Sequence, residues 1–117
     1  MDKITVLGPK GTFSDMAARR LDYKIIYCDS HDEVIIKLVN KKADFALVAF
    51  ENQLTGTIIE NLDSIIKYNL KIIKEIVIPV HHNLCALSDS KDIKKIYSHP
   101  QGFFQCRGVL DDKYEKI

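Results

Sequence analysis

Short apolar runs alternate with capped, helix-patterned stretches along this chain. That alternation directs it to an α/β fold with a mostly parallel sheet and helices on both faces. "KITVLG" reads as a strand that stops at Gly8-Pro9. Thr12 is placed to cap a helix carrying Phe13, Met16, Ala17 and Leu21 on one face. "KIIYC" is a second strand, and Ser30 with Glu33 forms a capping box ahead of Val34, Ile35, Leu38 and Val39. "DFALVAF" is a continuous apolar run, as expected of a strand covered on both faces. Thr57 with Glu60 reads as another capping box, opening a helix over Ile58, Ile59, Leu62, Ile65 and Ile66 that ends near Asn69. Beyond it, "KIIKEIVIPV" and "NLCAL" read as extended segments and "KKIYS" as a strand. Pro100 suits a first helical turn, and the closing "DDKYEKI" reads as helical. In such sheets ligands bind beyond the carboxyl ends of the strands, so function is sought in the loops that follow them.

Composition narrows the classes. The chain has 117 residues, with 17 Lys and Arg against 16 Asp and Glu. Such a balance gives no bulk attraction to nucleic acid or to a membrane surface. Cys28, Cys85 and Cys106 are odd in number and scattered, as expected of reduced thiols in a cytoplasmic protein. No apolar run approaches a membrane span and no secretion-signal pattern opens the chain. His81, His82, His99, Cys85 and Cys106 are metal ligands by type. Adjacent His81 and His82 would point to opposite faces of a strand, and no zinc spacing appears, so no metal is expected.

Three loops carry polar groups at strand ends. "GPKGTFS" fits neither the dinucleotide fingerprint nor the P-loop pattern. It is a flexible turn into a helix start bearing Thr12 and Ser14, which suits either a plain cap or a bound carboxylate. In "ENQLTGT", Glu51 and Asn52 follow an apolar run and either fix a polar ligand or satisfy loop backbone. In "HPQGFFQC", His99 is held extended before Pro100, and Gln101 and Gln105 lie one helical turn apart. The alternative there is a helix start with Phe103 and Phe104 in the core.

In this order, the three stretches resemble the N-terminal half of the prephenate dehydratase family. Its usual forms are a Gly-Pro-x-Gly-Thr-Phe-Ser loop, a Glu-Asn-Ser-x-x-Gly loop and a His-Pro-Gln-x-x-x-Gln-Cys helix start. "IPVHHNLCAL" is similar to the segment between the second and third motifs, and the likeness runs from about Ile4 onward. The resemblance implies a carbon–oxygen lyase of phenylalanine biosynthesis, in which prephenate loses carbon dioxide and water to give phenylpyruvate. It implies two α/β lobes arranged like a periplasmic binding protein, with the substrate in the cleft and a phenylalanine-sensing ACT domain following. Residues 1–78 would form the first lobe. Residues 79–117 would form the crossover and the beginning of an incomplete second lobe, with no ACT domain in the sequence. Thr12, Phe13 and Ser14 would line the cleft with Asn52 opposite, and Glu51 would orient its loop. His99, Gln101 and Gln105 would come from the second lobe. The implied ligand is a small dicarboxylate, with no metal or organic cofactor.

The chain departs from the family in several places. None of Thr5, Thr12, Thr55 and Thr57 precedes an Arg, so the family's Thr-Arg-Phe segment is absent and the catalytic residue is unassigned. Gln53 stands where the family usually has Ser, and Ala49 and Phe50 where Pro and Ile are common. The reading is therefore part of a dehydratase; the alternative is a non-catalytic carboxylate-binding or dimerisation module of the same fold. Unpartnered strand edges would favour a homo-oligomer, in one form an element-exchanged dimer.

Overall fold

The computed structural model describes residues 1–52, 56–87, 93–110 and 114–117. It divides into two compact units, Met1–Pro79 and Val80–Ile117.

The first unit is built around β1 (Lys3–Leu7). Its parallel neighbours are β2 (Lys24–Cys28), in register from Lys3–Lys24 to Leu7–Cys28, and β3 (Phe45–Ala46), giving the order β2-β1-β3. Ile4, Thr5 and Val6 are all buried, although successive strand residues point to opposite faces, so β1 is covered on both. On one face Ile4 and Val6 cluster with Ala18 of α1 (Phe13–Ala18). On the other, the Thr5 hydroxyl donates to the Val34 carbonyl of α2 (His31–Val39) at 3.0 Å. Helices thus lie on both faces of a parallel sheet, as the alternation predicts. Burying side chains of this size contributes about 2 kcal/mol each.

Local signals explain the ends of α2. Ser30 Oγ accepts from the Glu33 N–H at 3.1 Å, and Glu33 Oε2 accepts from the Asp29 N–H at 2.7 Å, one residue before the expected capping-box partner. The helix closes with Lys41 at φ 60°, its N–H bonded to the Leu38 carbonyl and that of Lys42 to Lys37. The short α1 buries Asp15, Ala17 and Ala18, while Met16, expected on the inner face, is half exposed.

After β3 the chain makes an antiparallel hairpin, β4 (Glu51–Asn52) with β5 (Gly56–Thr57), then α3 (Ile59–Lys67). Two expectations fail here. The apolar run 44–50 bonds to β1 from Asp44 to Leu47 and then leaves the sheet, and as an edge segment it is only partly covered, not buried on both faces. Thr57 belongs to β5 and does not cap α3, which starts after Ile58 without a side-chain cap. Asn61, nearly fully buried, ties α3 to the preceding segment by donating from Nδ2 to the Ala49 carbonyl. The helix closes at Asn69 (φ 50°), as its sequence signal predicts.

Residues 70–86 form neither helix nor strand, contrary to the extended β segments expected there. The second unit contains β6 (Lys95–Ile96), α4 (Pro100–Gln105) and β7 (Glu115–Lys116). β7 pairs parallel with β6, so the end of "DDKYEKI" is extended where a helix was expected.

Candidate functional site

The topology starts two connecting segments, those after β1 and after β3, from the same edge of the first unit's sheet. β1 and β3 are adjacent and parallel, so the turn after β1 and the segment after β3 both leave from carboxyl ends. The connection from β1 runs through α1 to β2 on one side, and α2 returns the chain to β3 on the other. This reversal is where open α/β sheets form ligand crevices.

The turn after β1 is fixed by its own hydrogen bonds. The Gly8 N–H donates to the Cys28 carbonyl at 2.8 Å, which holds the start of the turn against β2. Gly11 has φ 99°, a conformation that side chains disfavour. Thr12 caps α1. Its Oγ accepts from the Asp15 N–H at 3.1 Å and donates to the Leu7 carbonyl at 3.3 Å. The hydroxyl has one proton, so in this arrangement it offers a ligand only an acceptor lone pair. Phe13 and Ser14 form the first turn of α1.

Sequence reasoning missed Asp15. Its carboxylate is 1% exposed and accepts from three donors: Tyr27 Oη at 2.7 Å, the Gly11 N–H at 2.8 Å and Arg19 Nε at 3.0 Å. The Tyr27 hydrogen bond is the main cause holding its pKa at about 2. The Gly11 and Arg19 bonds act in the same direction and burial opposes them. The same contacts push the Tyr27 hydroxyl and the Arg19 guanidinium upward, Asp15 being the chief cause in both. The helix start that reads as a seat for an external anion therefore already holds a carboxylate. The available signal was Arg19 four residues on; Tyr27, on β2, has no such spacing to Asp15.

Glu51 and Asn52 lie in β4, Glu51 paired with Thr57 and Asn52 with Gly56. Glu51 is exposed. The Phe50 carbonyl accepts from Ile58 N–H at 2.8 Å, which closes the hairpin's base. Gln53 lies outside the described residues.

In the second unit, His99 is the N-cap of α4: its Nδ1 accepts from the Gln101 N–H at 3.1 Å, which puts a neutral ring's proton on Nε2. Pro100 occupies the first turn, as expected. Gln101 is exposed, and Gln105, partly buried, contacts His82 through Oε1 and the ring Nε2. His82 belongs to "IPVHHNLCAL", outside the three polar loops, and this contact gives it a partner in one of them. Arg107 is engaged locally, donating to the Phe104 carbonyl at 2.7 Å with its guanidinium 4.1 Å from the Phe104 ring centre.

These loops can be set against known proteins. The profile described as prephenate dehydratase matches residues 4–117. The chain belongs to the prephenate dehydratase family. A bifunctional chorismate mutase/prephenate dehydratase from Buchnera aphidicola subsp. Acyrthosiphon pisum (strain APS) is 41% identical over 112 residues, 89% of this chain and 29% of that protein. A solved structure described as GqqA, a novel type of quorum quenching acylases, is 26% identical and superposes with a TM-score of 0.76, covering 98% of this chain and 44% of that one. Prephenate dehydratase from Streptococcus mutans is 29% identical with a TM-score of 0.50, over 56% of this chain and 36% of that one. The chain thus spans less than half the length of each of these relatives. Membership gives the α/β architecture its family, that of the periplasmic-binding-protein-like dehydratases.

Proposed function

We propose that this chain forms part of a prephenate dehydratase, with residues 1–78 as the first lobe of the dehydratase region and residues 79–117 as the crossover and the start of the second. The observation that carries this is the family match across residues 4–117, which takes in all three polar loops. In the reaction the bond to the ring carboxylate breaks and carbon dioxide leaves. Its electron pair enters the ring, the ring becomes aromatic, and the hydroxyl departs with a proton as water. That departure needs a proton donor or a strong hydrogen bond at the leaving oxygen. The family's Thr-Arg-Phe segment does not occur in this sequence, so the role we assign here is binding.

In the first unit we assign the substrate-binding site to the turn Thr12, Phe13 and Ser14 and to the hairpin, with Asn52 facing the substrate and Glu51 orienting that loop. The edge location after parallel strands supports this. In the second unit we assign it to the polar segment His99, Gln101 and Gln105. Three unpaired thiols support a cytoplasmic setting, and among the described residues no helix is long and apolar enough to cross a membrane.

The test is calorimetric titration of the purified chain with prephenate, together with phenylpyruvate release followed above the spontaneous rate. Saturable binding at or below roughly millimolar prephenate is expected. Absence of binding by a folded chain would overturn the assignment. A second reading comes from the acylase structure that superposes on 98% of the chain. Cleavage of an acylated quorum-sensing signal by the same preparation, without prephenate binding, would favour it.

A further inference from the structure

The buried network behind the first turn has no part in the function proposed above. Asp15 belongs to no recognised motif position, yet it is among the most buried side chains of the first unit. Its Oδ2 accepts from Gly11 N–H and from Arg19 Nε, and its Oδ1 from the hydroxyl of Tyr27. Tyr27 is 38% exposed and stands on β2, a different element from the turn. The carboxylate therefore joins three pieces of chain: the left-handed residue of the turn, the end of α1 and the neighbouring strand.

We infer that Asp15, held in place by Tyr27 and Arg19, is a positioning residue that fixes the Gly8–Thr12 turn in its binding conformation before substrate arrives. The inference rests on the substrate reading above and extends it to residues outside the three motifs. Gly11 is the point of action. A glycine samples many backbone conformations, and a charge-assisted bond to its N–H selects one of them. A turn ordered in advance lowers the entropy cost of binding. The network also engages the Gly11 N–H with a group of the protein, so that this amide serves the shape of the turn and not the ligand.

Tyr27→Phe tests this by removing one hydroxyl from a half-exposed ring, a change the fold tolerates; Asp15→Asn is the harsher variant. Two quantities are read on the ¹⁵N-labelled full chain: the exchange rate of the Gly11 amide, and the affinity for prephenate by titration. In Tyr27→Phe, Gly11 exchange is expected to rise and prephenate affinity to fall, each by about fivefold. Arg19→Gln is expected to act in the same direction. If Gly11 exchange is unchanged in both Tyr27→Phe and Asp15→Asn, the inference is overturned. It is also overturned if Gly11 loosens while affinity stays at the wild-type value, since the network would then only stabilise the fold. A wild-type chain that binds no prephenate, with Gly11 loosening as expected in the variants, upholds the pinning of the turn and overturns the substrate reading instead.

Discussion

Replacing Thr12 with alanine removes one hydroxyl that makes two bonds. Oγ accepts from the Asp15 N–H at 3.1 Å and donates to the Leu7 carbonyl at 3.3 Å. Loss of an N-cap typically costs about 1 kcal/mol. The longer bond to Leu7, at a partly exposed site where water can substitute, adds about 0.5 kcal/mol. Together these lower Tm by about 5–10 °C in a domain of this size. Circular dichroism melts of Thr12→Ala and Thr12→Ser measure it, with the serine variant expected within about 2 °C of wild type because it keeps the hydroxyl. Prephenate affinity in Thr12→Ala is expected to fall by no more than about tenfold, since the lost group offers a carboxylate no proton. An alanine variant that melts like wild type yet no longer binds prephenate would refute this reasoning, and so would a serine variant as unstable as the alanine one.

Val34→Ala deletes two methyl groups from a fully buried position between α2 and β1 and is expected to cost about 2–3 kcal/mol, read from urea unfolding midpoints. Asp15 gives an acid signature: its pKa of about 2 lies below the ordinary 3.8, so its contribution to stability is complete above about pH 4 and is lost as pH falls through 2. Asp15→Asn is expected to flatten the wild-type decline between about pH 4 and 2; an unchanged slope in unfolding midpoints would count against the network.

The parts of this fold that the sequence revealed are those whose causes are local. β1, β2 and α2 come from alternation, periodicity and a cap within a few residues of one another, and Ser30 and Glu33 act nearly as their spacing predicts. The errors arise where a distant partner decides. "KIIKEIVIPV" has strand-like residues, but a strand exists only when another backbone pairs with it, and among the described residues none pairs with 70–86. "DDKYEKI" carries helix-forming charges, yet Glu115 and Lys116 pair with β6. The three polar loops were legible as motifs because each is contiguous. Asp15 was not, because the residue that does most to lower its pKa lies on the next strand.

That omission bears on the anion binding proposed for the first turn. Taken alone, a helix start with glycines and hydroxyls attracts a carboxylate through its dipole and its unpaired N–H groups. Here the attraction is partly met from within, because Asp15 is ionised at neutral pH and takes the Gly11 amide. An external carboxylate approaching the same turn would meet repulsion if Asp15 stood alone. Arg19 Nε bonds the same Oδ2 that receives Gly11, so the guanidinium cancels that charge where it arises. The pair is thus neutral toward a ligand and rigid toward the turn. On this account, removing Arg19 while keeping Asp15 should harm anion binding more than removing both charges together, a sign that a purely structural salt bridge would not produce.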